Sequence, residues 1–291
     1  MTDIVQIMAY GVILGVLFGL VTIGLALLFG VMKYLNIAHG SFMMIGAYAS
    51  YWLFTLWHVD PILSMPLVLV LMFLVGCLLY KLLFSRLSKA SEDRRINNSL
   101  LMAFGLILVL DNMAIALWHT DIRNANTSYS GNMLEFFGAE FPLTGLILIG
   151  MTVLAILALH LFLSKTYLGK SIRATTQDWE AASLLGVNIE RTYLISCGIS
   201  MALAGLAGSG YAILCLYPIS PDMGMRWVLY AMVVLVLAGM GNIKEVFLAG
   251  LMMALVEKVS ALTMGPQYEG VASLALFLLI IIVRPQGLFK R

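Results

Sequence analysis

Long apolar stretches alternate with short polar ones along the whole chain, and within each stretch the apolar residues run continuously. A bilayer core of about 30 Å takes roughly 20 such residues as a helix. The pattern predicts spans at 7–31, 41–57, 62–83, 99–118, 143–163, 193–216, 227–240, 246–262 and 271–283. Several are short, so eight crossings plus a partial or tilted segment fit as well as nine. No strand-length alternation of apolar and polar positions marks a transmembrane β-barrel. The expectation is an all-α integral membrane protein, a polytopic bundle of eight or nine spans with a helix broken after the first, forming one domain over residues 1–291.

Composition agrees: 62% of residues are hydrophobic, 11% are charged, and the mean hydropathy is +0.98. A soluble domain carries charge on about a quarter of its residues. The first apolar run follows Asp3 rather than a basic leader and exceeds the roughly 7 to 15 residues of a signal-peptide core, so it reads as a retained span. Cys77, Cys197 and Cys215 all lie in apolar segments and read as small packing residues. Net charge is only +2, but its distribution is informative. With the C-terminus inside and the spans alternating backwards, every Lys and Arg except Arg123, Arg226 and Lys258 falls on the inner side, with the N-terminus outside if all nine cross.

Two polar interruptions carry candidate chemistry. The stretch "KYLNIAHGS", Lys33 to Ser41, separates the first two spans. Broken backbone at membrane depth is tolerated only inside protein or along a water-filled cavity, which is where transporters pass substrate. Gly40 would end the turn and Ser41 cap the next helix, its N-terminus facing an anionic group, with Asn36 and His39 adding hydrogen bonds. A tight cytoplasmic turn explains the same letters equally well. The second interruption, 164–192, is a cytoplasmic loop holding a short amphipathic helix around Trp179, Glu180, Ala181, Ala182 and Gly186. It could lie on lipid headgroups or dock on a partner.

The remaining features weigh against other activities. Gly169-Lys170-Ser171 mimics the end of a phosphate-binding loop, yet Ser164 stands where that loop needs Gly, and a span precedes it instead of a strand. Asp111 interrupts the fourth span and is a candidate for lining a path, as an ionisable group within a span is costly. Glu257 and Lys258 are expected to snorkel or pair near an outer helix end. His58, His119 and His160 stand isolated, so neither a metal site nor a catalytic set is expected, and no cofactor. Nothing aromatic and basic is interleaved as in nucleic-acid binders. Glycines at 11, 15 and 19 predict a groove for close helix packing, and the breaks at "YPISPDMG" and "AGMGNIKE" loosely pair with the one after the first span.

Together, "GLALLFGVMKYLNIAHGSFMMIGAYAS" (24–50), "RATTQDWEAASLLGVNIERTYLISCGISMALAGLAG" (173–208), "VLAGMGNIKEVFLAGLMMALVE" (236–257) and "RPQGLFKR" (284–291) resemble the permease subunits of branched-chain amino acid importers of the ATP-binding-cassette class, the LivH/LivM type. The resemblance implies a non-enzymatic transport subunit of a bacterial inner membrane. It also implies a homologous second permease, two ATPase subunits and an extracytoplasmic substrate-binding protein as partners. It makes Glu180, Ala181, Ala182 and Gly186 the ATPase-coupling pattern, and Asn36 to Gly40 the family's N-x-A-H-G signature beside the path. Ala238, Lys244 and Glu245 depart from the family's smaller residues, and 119–142 shows no resemblance. Relatives of this kind serve leucine, isoleucine and valine, while others move urea, short amides or other amino acids.

Overall fold

The structure, a computed structural model, describes residues 2–87, 91–136, 139–214, 218–239, 245–284 and 287–288. Its helices are α1 (Thr2–Met32), α2 (His39–Trp57), α3 (Pro61–Leu82), α4 (Glu92–Trp118), α5 (Leu143–Lys165), α6 (Tyr167–Gln177), α7 (Trp179–Leu184), α8 (Ile189–Leu214), α9 (Met223–Ala238), α10 (Val246–Met264) and α11 (Glu269–Val283). Each of the nine predicted spans is a helix. Seven of these are long and apolar enough to cross a membrane. The other two, α2 and α9, are more polar or shorter, and they pack on each other.

The polar connections hold more structure than the sequence pattern suggests. Residues 84–87 form a 3-10 turn, and α4 begins at Glu92, well before the apolar run. The connection from α4 to α5 contains an antiparallel hairpin of β1 (Met133–Phe136) and β2 (Ala139–Pro142), Met133 opposite Pro142. The Gln6 side-chain amide both donates to Glu140 O and accepts from Glu140 N, each at 2.7 Å, and so ties the hairpin to the start of α1. The expectations for Lys89, Cys215, Gly241, Lys244, Lys290, Arg291 and the last residues of two predicted spans (215–216 and 240) lie outside the described residues.

Burial divides the bundle into a core and a jacket. Nearly all of α1 and α8 is enclosed by protein, whereas little of α4, α5 and α11 is fully buried, and Leu101, Phe104, Leu154 and Ile282 are among their exposed residues. In water that distribution would be an aggregation hazard; in a bilayer the exposed face meets lipid chains or another apolar subunit. Small residues bring the core helices together. A methyl group on Gly15 would lie 2.8 Å from Leu251 Cα, and one on Gly250 would lie 2.8 Å from Gly19 N, so α1 and α10 meet backbone to backbone. The expected glycine groove therefore has α10 as its occupant. Helix α1 packs along α10, and α2 along α9.

Candidate functional site

The broken segment is a re-entrant stretch inside the protein. Lys33, with φ of 57°, terminates α1 in the left-handed region and reverses the chain. The next residues climb back along α4: Ser99 Oγ accepts from Leu35 N at 2.9 Å, and twelve residues further along α4 Asp111 Oδ1 accepts from Ser41 Oγ at 2.8 Å. Those two points are about 18 Å apart along a helix axis. By His39 the chain is level with Gly24, a little over two turns short of the C-terminal end of α1. Between them, Asn36 Oδ1 accepts from Ala38 N at 3.1 Å, so this side chain closes the turn that launches α2.

Ser41 does not cap α2. The helix begins at His39, Ala38 holds the cap position without a side-chain bond, and the Ser41 hydroxyl is spent on Asp111. Sequence spacing favoured Ser41 because Gly40 looked like the end of the turn. Gly40 is instead inside the helix, where its Cα faces the Gly224 carbonyl at the start of α9. Any side chain there would enter that carbonyl.

Asn36 and His39 are fully buried. His39 Nε2–H donates to Val21 O at 3.1 Å, on the middle of α1, and Ser200 Oγ donates to Gly24 O at 2.7 Å just below. Two atoms of the segment, Asn36 Nδ2 and His39 Nδ1, are buried without a hydrogen-bond partner. Each is a polar atom with hydrogen-bonding capacity to spare, and leaving such an atom buried and unpaired is costly. The segment thus combines broken backbone, two unspent polar atoms and contacts to α1, α4, α8 and α9. Replacing Ser99 by alanine strips Leu35 N of its acceptor and is expected to cost about 1–2 kcal/mol, visible in a detergent melting curve.

The second polar interruption folds as α6 followed by the six-residue α7. Asp178 caps α7, its Oδ1 accepting from Glu180 N at 2.9 Å and Ala181 N at 3.0 Å. Gly186, with φ of 85°, closes it: Gly186 N donates to Ser183 O and Val187 N to Ala182 O, the paired bonds of a glycine-terminated helix. Ala182 is buried, Glu180 and Ala181 are exposed, and Leu184 and Leu185 are among the most exposed apolar residues of the chain, at 89% and 86%. A methyl group on Gly186 would meet open space, so the backbone conformation alone demands glycine.

One residue that sequence reading passed over holds this element to the bundle. Arg95 appeared only as an inner-side positive charge, yet it is 2% exposed. Its Nη1 donates to Tyr193 Oη at 2.7 Å, and its guanidinium lies 4.5 Å from the centre of the Trp179 ring. Arg95 sits one turn before Ser99 on α4. The same helix therefore touches α7, the start of the re-entrant segment and Ser41. Glu257 also departs from expectation: it is buried and accepts from Ser273 Oγ at 3.0 Å, while Lys258 pairs as expected, with Glu269 at 2.8 Å.

A multispan helical protein with a buried break after its first helix and a short helix capped at both ends has the build of a transport permease. The comparisons place it further: the family described as "Branched-chain amino acid transport system / permease component" matches residues 7–283, and the chain belongs to it. It is 28% identical to the high-affinity branched-chain amino acid transport system permease protein BraD of Pseudomonas aeruginosa, over 98% of this chain and 95% of that one. The LivH permease protein of Escherichia coli K12 gives the same identity and coverage. A probable branched-chain amino acid transport permease protein LivH of Methanocaldococcus jannaschii is 25% identical over 92% of this chain and 87% of its own. No solved structure matches.

Proposed function

We propose that this chain carries branched-chain amino acids across a bacterial inner membrane as one permease of an ATP-driven importer. Its partners are a second, homologous permease, two ATP-binding-cassette ATPase subunits and an extracytoplasmic binding protein that delivers the solute. Hydrolysis belongs to the ATPases.

The observation that carries the coupling role is the tip of α7. A helix capped at both ends and held by Arg95 presents Leu184 and Leu185 to the cytoplasm with nothing covering them. Exposed leucines at a rigid tip suit a protein groove of matching shape. Movement of the ATPases would push Glu180–Gly186, and Trp179 would pass the displacement to Arg95 and hence to α4. Because α4 also holds Leu35 and Ser41, the re-entrant segment shifts with it, and Asn36 and His39 become available to the passing solute. Gly40 gives the segment its close seat on α9, and Asp111 holds Ser41 until the shift.

The test is Leu184→Asp combined with Leu185→Asp. The variant should melt like the wild type in detergent, because both side chains are solvent-exposed. It should recover at least tenfold less ATPase when purified from the membrane, and leucine uptake into proteoliposomes should fall in proportion. Full ATPase recovery in that variant would overturn the docking assignment.

A further inference from the structure

A second polar feature lies apart from the re-entrant segment, toward the outer ends of α1, α8, α9, α10 and α11. It is a cavity of about 120 Å³ whose lining includes Phe18, Arg226, Trp227, Tyr230, Glu257 and Glu269. That space is ample for several waters or for a small polar group. Its walls are aromatic. Phe18 packs against Trp227 at 5.5 Å and Tyr230 at 4.9 Å between ring centroids, and Tyr211 meets Trp227 at 5.4 Å.

The polar groups fall into two sets. Glu269 is engaged by Lys258 at 2.8 Å. Glu257, 3% exposed within a membrane-spanning helix, takes hydrogen bonds from Ser273 and Tyr230. A carboxylate offers about four acceptor positions, so two donors leave it capacity for a further N–H group. Arg226 supplies the opposite charge; neither of the two ion pairs among the described residues involves it. Glu257 and the solvent-exposed Arg226 line one small cavity together with the rings of Phe18, Trp227 and Tyr230, a set of groups that suits a zwitterion. The aromatic rings add attraction for an ammonium group.

We infer that this cavity is an outer subsite for the head group of an α-amino acid, its ammonium on Glu257 and its carboxylate on Arg226. The assignment rests on the amino acid reading of the importer. It differs from the re-entrant segment in ligand chemistry, since its lining joins the buried carboxylate of Glu257 to the exposed guanidinium of Arg226.

The assembled importer in lipid nanodiscs tests it with two probes, L-leucine and 3-methylbutylamine, which keeps leucine's amino group and branched chain but lacks the carboxylate. Fluorescence of Trp227, taken as the difference between wild type and Trp227→Phe, should change saturably with both. Glu257→Gln preserves shape and hydrogen bonding without the charge. It should weaken both probes at least tenfold; Arg226→Gln should weaken leucine alone. If Glu257→Gln does not fold, the Arg226→Gln contrast still decides. No saturable change with either probe, or equal changes in all variants, overturns the subsite. Absence of leucine uptake by the wild-type complex with the amine response intact would instead overturn the substrate reading and leave the ammonium site standing.

Discussion

Gly40→Ala is expected to remove most of the folded protein from the membrane, at a cost of about 3 kcal/mol or beyond. The added methyl group collides with the Gly224 carbonyl, and Val228 Cβ, one turn further along the same helix, stands 3.0 Å away, so α9 has no flexible side-chain end there to move aside. A backbone carbonyl at the start of a helix yields only if the whole of α9 shifts. The matched control is Gly105→Ala on α4 or Gly150→Ala on α5, where nothing lies within 4 Å. Those variants should gain roughly 0.5–1 kcal/mol, the ordinary advantage of alanine over glycine in a helix. Melting of the purified protein, read by monodisperse yield after heating, separates the two classes. Equal melting of Gly40→Ala and Gly105→Ala would show that the α2–α9 contact is slack.

The second large effect falls on coupling. Arg95→Met should cut solute moved per ATP hydrolysed at least tenfold while the ATPases stay attached. The docking tip remains exposed in this variant, so association survives. What disappears is the charged link between Trp179, Tyr193 and α4. Stability should fall by about 3 kcal/mol as well, because the Tyr193 hydroxyl loses a charged donor and the Trp179 ring loses its cation. Arg95→Lys separates coupling from stability: an ammonium keeps attraction to the ring but lacks the planar fork that reaches both partners. It should retain most of the stability and only part of the coupling. The ratio of leucine uptake to phosphate release in proteoliposomes is the deciding quantity.

Much of the architecture was legible because lipid imposes simple rules. Continuous apolar runs of span length become helices, and all nine did. Polar breaks were visible for the same reason: Asn36, His39 and Asp111 stand out against apolar neighbours. Their placement was not legible. A hydropathy pattern reports that a helix stops, and says nothing about whether the chain leaves the membrane or turns back into it. The bonds from Leu35 and Ser41 to α4 are tertiary, spanning 64 and 70 residues of sequence. Ser41 was misassigned as a cap because its partner, Asp111, is equally distant. Arg95 and Glu257 were read as ordinary charges near membrane borders, since burial of a charge depends on which neighbours arrive to satisfy it. Gly186 was legible as part of a pattern, but its left-handed backbone, which explains the glycine, appears only in the fold.

The enclosure of α1 has a consequence for how the protein is made. This helix leaves the ribosome ahead of the others described, yet its glycine face is completed only by α10, which begins at Val246. At about 5–20 residues per second, the interval is on the order of ten to forty seconds. Throughout it, α1 must reside in lipid or at the insertion machinery with its notch unfilled and with His39 and Asn36 lacking their final surroundings. An assembly factor that shields small-residue notches in nascent membrane helices would find its longest-lived client surface here, on the first helix rather than the last.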